Sequence, residues 1–247
     1  QSDWNRTGGL MKNFFCSLIT SVASVALFAT ASPLLASETA SMENWSRVDE
    51  GQLAGEPYSL YEKSVDGSST KAYRAECVFN ASHREIFEAA MQLVVSPSEA
   101  PPGQERELVR TGDDDFVVHT RIDVPLVTDR DINIRIERWQ DESSGSLGLE
   151  WHATSEEGPR AQPGVVRISK ADGFWRFSPI DETRTRVVYQ NDTDIGGYIP
   201  LWVIGPMLRE EALGQLSVLL RMVEEKEKAG PAPGAAVRSL SSASSER

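Results

Sequence analysis

The histidines and cysteines of this sequence are its most versatile chemical groups, and neither type forms a catalytic pattern. His83, His119 and His152 do not meet the spacing of a metal-ligand pair such as HExxH. Cys77 lies in an alternating strand pattern with apolar neighbours, which is typical of a buried, inert thiol. Cys16 falls in an N-terminal apolar run, so we expect no intramolecular disulfide. We predict no metal site and no thiol catalysis.

Two acidic clusters are the other groups that could hold an ion. A solvated hairpin tip accounts for Asp113, Asp114 and Asp115 without calcium. An ion pair that shapes the turn into the following strand accounts for the run Asp129-Arg130-Asp131. The sequence has no Gly-x-Ser-x-Gly elbow, no phosphate-cradling glycine loop and no dinucleotide fingerprint. We therefore predict no cofactor.

The charge of the chain limits its partners. It carries 25 basic and 37 acidic side chains, a formal net charge of −12. Binding to nucleic acid requires clustered lysine and arginine that release counterions, and no such cluster occurs in the sequence. Tight docking on anionic lipid is disfavoured for the same reason. We expect a monomer without a nucleic-acid partner, whose contact with membranes is transient.

The N-terminal residues 1–36 predict export rather than a folded domain. Taken as the start, Met11 is followed by an uncharged apolar run from Phe14 to Ala31, and small residues offer cleavage after Ala31 or Ala36. The sequence thus predicts a signal peptide and a periplasmic or otherwise exported protein. An uncleaved N-terminal membrane anchor is the alternative, since the 18-residue run approaches the length of a spanning helix.

The folded part begins after this segment. Scattered apolar positions in residues 41–55 predict a short amphipathic helix. The alternating runs Tyr58–Val65 and Thr70–Phe79 predict a hairpin, since the residues between them include Asp66-Gly67. Residues 42–228 are expected to form one α+β domain.

A second helix and a meander of strands complete the predicted domain. Ser82, with Glu85 three residues later, forms a capping box that predicts the start of a helix. Helical spacing of apolar residues predicts a long last helix that opens at Pro200 and reaches about Lys228, while the Pro-, Gly-, Ala- and Ser-rich residues 229–247 predict a disordered tail. The strands predicted between these helices are Glu105–Thr111, Phe116–Val124, Ile132–Trp139, Leu147–Thr154, Val165–Phe177 and Thr185–Thr193.

Several short stretches occur in a characteristic order, from Trp45 to Trp202. They are Trp45, Gly67 and Tyr73-Arg74-Ala75, Val124-Pro125, Thr128-Asp129-Arg130-Asp131, Gly173-Phe174-Trp175-Arg176-Phe177, Thr185-Arg186-Val187-Val188-Tyr189, and Asp194 through Trp202. In order and spacing this set resembles the START (steroidogenic-acute-regulatory-related lipid transfer) domains of the helix-grip superfamily. The resemblance implies a curved antiparallel sheet wrapped around a long C-terminal helix, with an internal apolar cavity for one lipid, sterol or other apolar molecule.

Two neighbouring strands supply the candidate cavity wall. Alternation places Phe116, Val118, Thr120, Ile122 and Val124 on one face of the first strand, and three isoleucines on one face of the second. An ordinary filled core is the alternative interpretation of these stripes. With the resemblance, the predicted ligand-binding residues are Ile132, Ile134, Ile136, Trp175, Phe177, Tyr189, Trp202, Met207 and Leu208.

Two further features bear on the ligand and on its access. Some sterol-binding relatives place a carboxylate and an arginine inside the tunnel, and the matching positions here are Thr120 and Ile136. This departure predicts a more apolar tunnel without a partner for a sterol hydroxyl. The pair Gly196-Gly197 ahead of Pro200 predicts a joint that lets the last helix or its neighbouring loop swing aside for the ligand.

The sequence therefore predicts a non-enzymatic protein that binds or transfers a lipid or other hydrophobic small molecule. A cyclase- or aromatase-like enzyme of the same superfamily is one alternative, because fold alone does not separate the two activities. Its polar candidates are Arg138, Tyr189, Asn191 and Thr193. A periplasmic interaction subunit with a filled core is the other alternative.

Overall fold

The structure, a computed structural model, describes residues 42–229 except residues 69, 102, 125, 126, 198 and 200. The predicted signal peptide lies outside the described residues, as does the predicted tail apart from residue 229. Within the described part, no helix combines the length and the apolar composition needed to cross a membrane.

Ten strands of the described chain form one sheet. In the order β1-β2-β3-β10-β9-β7-β6-β5-β4 all neighbours are antiparallel, and the short β8 pairs with β6 in parallel. The strands are β1 (Ser46–Leu53), β2 (Glu56–Ser64), β3 (Lys71–Phe79), β4 (Gln104–Thr111), β5 (Asp115–Ile122), β6 (Arg130–Asp141), β7 (Ser146–Ala153), β8 (Val166–Arg167), β9 (Lys170–Pro179) and β10 (Thr185–Asp194).

Strand β1 replaces the helix predicted for residues 41–55, so that prediction was wrong. It pairs with β2 through a turn whose two central residues, Ala54 and Gly55, have φ angles of 50° and 90°. A two-residue hairpin turn with both central residues at positive φ matches the twist of the flanking strands. Alanine seldom adopts positive φ, which is why the sequence does not show this turn.

The remaining strand predictions agree with the structure, except that the predicted strand Val165–Phe177 is divided. Val166–Arg167 pairs with the start of β6, and Lys170 then begins β9 beside β7 and β10. The break turns Ile168 into a small apolar cluster with Ile132 and Ile204. This cluster adjoins one end of the cavity described below.

Helix α1 (His83–Val95) begins at the predicted capping box. The hydroxyl of Ser82 accepts a hydrogen bond from the backbone N–H of Glu85, and the Glu85 carboxylate accepts one from the backbone N–H of Ser82. Ile86, Ala90 and Leu93 are buried on one face, as the helical spacing predicts. A single 3-10 turn (Pro97–Glu99) follows the helix.

Helix α2 (Leu201–Ala229) lies across the sheet. It packs on β3 and β10 and against α1 through Ala212, Leu216, Leu219 and Val223. Their spacing forms a continuous apolar stripe, whose burial holds the helix on the sheet. A curved antiparallel sheet gripping a long C-terminal helix is the helix-grip architecture, so the predicted α+β fold is confirmed.

Candidate functional site

A cavity of about 260 Å³ is formed by residues of the sheet and of α2. Strands β4 to β7, β9 and β10 contribute to its wall, and α2 contributes its first four turns. The core on the other side is filled by α1, which packs against α2. The cavity lies between the curved strands and α2, and Val94 near the C-terminal end of α1 also lines it.

The wall on β5 and β6 follows part of the two alternating stripes that the sequence predicts, whereas Phe116 and Val118 of the β5 stripe lie in the filled core. Thr120 pairs with Ile132 across the two strands, and both face the cavity together with Ile134 and Ile136. The residues between them point to the opposite face of the sheet. There His119 pairs with Asn133, and Nδ1 of His119 lies 2.8 Å from Oδ1 of Asn133 in a hydrogen bond. Alternation along the two strands therefore predicts the face of this wall but not its length along β5.

Three aromatic rings form another part of the wall. The rings of Trp175 and Tyr189 lie 4.6 Å apart, and those of Trp151 and Tyr189 lie 5.7 Å apart and are stacked. Gly173 permits this arrangement, because a Cβ atom there would lie 2.3 Å from Cζ2 of Trp151 and 2.4 Å from the carbonyl oxygen of Gln190. The close approach of the indole to the strand thus requires glycine.

Seven of the nine predicted ligand-binding residues line the cavity: Ile132, Ile134, Ile136, Trp175, Tyr189, Met207 and Leu208. Phe177 does not, because Phe87 of α1 packs against its ring edge-on at 6.1 Å and fills the space above it. Trp202 does not either, since its side chain is 80% exposed. It lies about 200° around the helix from the cavity-facing Ile204.

A buried carboxylate faces the cavity from α2. The phenol of Tyr189 donates a 2.9 Å hydrogen bond to Oε1 of Glu211, and Oε2 is buried. Burial raises the pKa of Glu211, although the Tyr189 phenol, the amides of Asn191 and Gln215 and the charge of Arg106 oppose that rise. Burial and the neighbouring carboxylate raise the pKa of Tyr189 well above its usual value.

Arg106 of β4 is one of two arginines in the wall. It stands opposite Thr120 and donates hydrogen bonds to the carbonyl oxygens of Leu93 and Ser96, at the C-terminal end of α1. Carbonyl groups at a helix C-terminus carry partial negative charge, which stabilises a cation there. Burial lowers the pKa of Arg106, and the charge of Glu211 is among the effects that oppose this shift.

Arg130, the first residue of β6, is the other arginine and is only 3% exposed. Its Nη1 donates to the carbonyl oxygen of Thr128, and its Nη2 lies 3.5 Å from the carbonyl oxygen of Gly196. The Nε atom is buried and has no partner among the described residues. The guanidinium therefore lies between the carbonyl groups of Thr128, just before β6, and Gly196, just after β10.

The ion pairs predicted for Asp129-Arg130-Asp131 form without Arg130. Asp129 accepts a 2.7 Å hydrogen bond from Arg121, and Asp131 accepts bonds of 2.7 and 2.8 Å from Nε and Nη2 of Arg167. Alternation explains the outcome, because Asp131 points to the face opposite Arg130. The prediction of structural ion pairs was right for the aspartates and wrong for the arginine.

The expectation of a more apolar tunnel was wrong, because charged side chains reach the cavity from other positions. Thr120 and Ile136 line the cavity, but Arg106, Arg130 and Glu211 bring charge to it from other positions. Two signals for these residues are present in the sequence. Arg130 has the same strand parity as Ile132, and Glu211 stands three residues after Leu208, on the apolar stripe of the helix.

The other residues that could do chemistry divide between the cavity wall and the rest of the domain. Burial raises the pKa of the Cys77 thiol to about 11, which suits the inert thiol that the sequence predicts. Of the candidates for cyclase chemistry, Tyr189, Asn191 and Thr193 line the cavity, whereas Arg138 pairs with Asp114 at 2.8 Å near the far end of β6. Within the part of the chain that is described, no three His, Cys, Asp or Glu side chains form a metal-binding group.

Comparison with known proteins identifies the fold. No family model matches the chain. An uncharacterised protein of Pseudomonas aeruginosa is 27% identical over 168 residues, covering 68% of this chain and 82% of that protein.

Two solved structures with the same architecture are described as lipid transfer proteins. A STAR-related lipid transfer protein from Xanthomonas axonopodis is 22% identical with a TM-score of 0.63, covering 74% of this chain and 99% of that one. Human StAR-related lipid transfer protein 5 is 20% identical with a TM-score of 0.60, covering 78% of this chain and 94% of that one. The chain therefore has the START-like helix-grip fold.

Proposed function

From the START-like helix-grip fold and its cavity, we propose that the protein binds and transfers one lipid or other hydrophobic small molecule without catalysing a reaction on it. The cavity carries this proposal, with its isoleucine wall on β6 and its aromatic group of Trp151, Trp175 and Tyr189. Concave, mostly apolar sites with a few convergent polar groups are typical binding sites for small molecules. The two lipid transfer proteins of the same fold support the assignment.

The apolar wall supplies affinity, and the polar groups supply selectivity. Each methylene group buried against such a wall contributes about 0.8 kcal/mol before the costs of binding. One methylene more or less therefore changes affinity only modestly. Arg106, Arg130 and Glu211 are the side chains that distinguish ligands of similar length by their polar atoms.

Ligand exchange is proposed to take place at the start of α2, during transient contact with a membrane. Trp202 is 80% exposed and Met207 42% exposed in the first two turns of this helix. Trp suits the interface of a bilayer, and Met adapts to varied apolar shapes. Gly196 and Gly197, with φ angles of 64° and 72°, form the joint at which the helix and the strand before it separate.

We further propose that the protein is a monomer and acts in the cell envelope. The apolar run from Phe14 to Ala31, and the small residues that follow it, support export. N-terminal sequencing of the protein recovered from a periplasmic fraction tests this, with a start at Ser32 or Ser37 expected. Recovery of the whole chain in the membrane fraction, with its apolar run intact, would favour the N-terminal anchor instead.

A second candidate function rests on the Glu211–Tyr189 pair. A buried carboxyl group with a raised pKa, bonded to a phenol inside a ligand cavity, is an arrangement that general acid–base chemistry uses. The Glu211–Tyr189 pair is thus the observation in favour of a cyclase-like enzyme. Chemical analysis of the bound molecule separates the two functions, since a carrier releases its ligand unchanged and an enzyme releases a product.

The experiment that tests binding is native mass spectrometry of the purified protein, with solvent extraction of any bound molecule. We expect an apolar ligand at near one per chain. The variant Ile134→Glu, which places a charge in the wall, serves as the ligand-free control. An empty wild-type protein that also takes up no added fatty acid, phospholipid or sterol would overturn the proposal in favour of an interaction subunit.

A further inference from the structure

We propose that Arg130 binds the anionic head group of a single-chain amphiphile, so that the ligand is an alkyl carboxylate or an alkyl phosphate monoester. This inference rests on the proposed function, because it names the chemical class of the molecule held in the same cavity. It assigns the head group to the part of the cavity wall at Arg130, whose guanidinium contacts Thr128 and Gly196.

Arg130 is buried without a counter-charge among the described residues. Arg130 is 3% exposed, and no carboxylate of the described chain forms an ion pair with it. The two aspartates beside it in sequence are already bound, Asp129 by Arg121 and Asp131 by Arg167. A buried, unpaired guanidinium is costly, and removing the partner of a buried ion pair is strongly destabilising. An anion supplied by a ligand removes this cost.

The geometry of the Arg130 guanidinium also suits an anion. A guanidinium holds a carboxylate or phosphate with two parallel hydrogen bonds, and in this protein Arg167 holds Asp131 through its Nε and Nη2 atoms. The same edge of Arg130 holds no carboxylate of the described chain. Its Nε is buried without a partner among the described residues, and its Nη2 has only a 3.5 Å contact with the carbonyl oxygen of Gly196. A neutral carbonyl group does not compensate the charge, whereas an anion does.

The charge and the volume of the cavity also favour a single-chain anion. Arg106 is a second cation in the wall, and the single carboxylate in the described wall, Glu211, already accepts a hydrogen bond from Tyr189. The cavity is therefore cationic in a chain whose net charge is −12. Its volume of about 260 Å³ is small beside the roughly 300–1,000 Å³ of typical ligand pockets, which favours one alkyl chain over two.

The test compares three probes of equal chain length on the delipidated full chain, each below its micellar concentration: dodecanoate, monododecyl phosphate and uncharged dodecanol. The wild type is expected to bind at least one of the two anions about 10- to 100-fold more tightly than dodecanol, as charge-assisted hydrogen bonds predict. The tighter of the two anions then names the head group. Isothermal titration calorimetry measures all three dissociation constants.

Two variants assign that preference to one residue. Arg130→Met is expected to bind the anions and dodecanol within about threefold of each other, because only the charge-assisted bonds are lost. Arg138→Met is the matched control, since it removes the same charge eight residues further along β6, outside the cavity wall. It is expected to keep the full preference. An Arg130→Met variant that keeps the preference would overturn the assignment.

The wild-type comparison remains decisive if Arg130→Met does not fold. Equal affinity of the wild type for all three probes would overturn the anion site and leave the apolar carrier intact. Failure to bind any of the three would count against the proposed function itself. Arg130→Lys adds an independent readout, because lysine keeps the charge without the two-atom edge of the guanidinium and is expected to lose part of the preference.

Discussion

Tyr189 of β10 and Glu211 of α2 are joined by a 2.9 Å hydrogen bond inside the cavity, with the phenol as donor. This bond connects the sheet to the helix that it grips. The carboxylate of Glu211 is buried, and burial raises its pKa. Glu211 should therefore contribute to the dependence of the protein's stability on pH.

The pH dependence has a definite sign. A carboxyl group whose pKa is higher in the folded than in the unfolded chain contributes most to stability below the unfolded value of 4.5, and this contribution is lost as pH rises through the folded value. Glu211→Gln does not titrate. From pH 4.5 upward, the wild type should lose stability relative to this variant, as urea unfolding at a series of pH values will show.

The exposed Glu225, on the same helix, provides the control for this measurement. Glu225→Gln removes an equal charge in solvent and should leave the pH profile close to that of the wild type. Parallel pH profiles for the wild type and Glu211→Gln would contradict the assignment of a raised pKa to Glu211.

Ile134→Glu should abolish ligand uptake. The side chain lies in the apolar wall, where an uncompensated charge costs about 3–5 kcal/mol, equivalent to at least a 100-fold loss of affinity. Thr120→Val, in the adjacent strand, keeps the shape of the wall and should bind apolar ligands about as the wild type does. Equal uptake of a fluorescent fatty acid by the wild type and the glutamate variant would argue against this wall as the binding surface.

Gly173→Ala should destabilise the fold by about 1–3 kcal/mol, since the added Cβ meets both the Trp151 indole and the Gln190 carbonyl oxygen. For a domain of this size, each 1 kcal/mol corresponds to about 2–4 °C in the melting temperature. Gly214→Ala, in α2 with nothing near the new methyl group, should have the opposite effect and stabilise by about 0.5–1 kcal/mol. Thermal melts of the two variants that shift in the same direction would refute the packing argument.

Trp202→Ala should weaken binding to vesicles of neutral phosphatidylcholine by about 10- to 100-fold, because one large apolar side chain contributes about 1.5–3 kcal/mol when it enters the interface. Its melting temperature should not change, since the indole is exposed. Ile180→Ala removes a 48% exposed side chain at the β9–β10 turn and should leave vesicle binding unaltered. Co-sedimentation measures both variants, and equal losses would remove the start of α2 from the proposed membrane contact.

The sequence predicts the periodic parts of this molecule well. The parity of Ile132, Ile134 and Ile136 alone predicts one wall of the cavity, because alternation along a strand is a local property. Where the cavity ends depends instead on residues that are distant in sequence. Phe177 shares a face with Trp175, yet it leaves the wall because α1, distant in sequence, covers it.

The charged residues of the site show a different limit. Arg130 and Glu211 occupy positions that the apolar periodicities of β6 and α2 assign to the interior, so the sequence contains the signal for both. Competing local interactions, such as an ion pair with Asp129 or Asp131, explain Arg130 equally well until the partners of those aspartates are known. The position of Arg106 is still harder to predict from the sequence, since only the register of β4 against β5 places it opposite Thr120.

The pairing of β3 with β10 also governs how the chain reaches this structure. Phe79 is hydrogen-bonded in register with Thr185, so the centre of the sheet closes only after almost the whole domain has been synthesised. Contacts so distant in sequence make folding slow, on the order of milliseconds to seconds. Until then, Ala75 and Cys77 lie on an unpaired strand edge, which is the segment most exposed to misassociation with other chains.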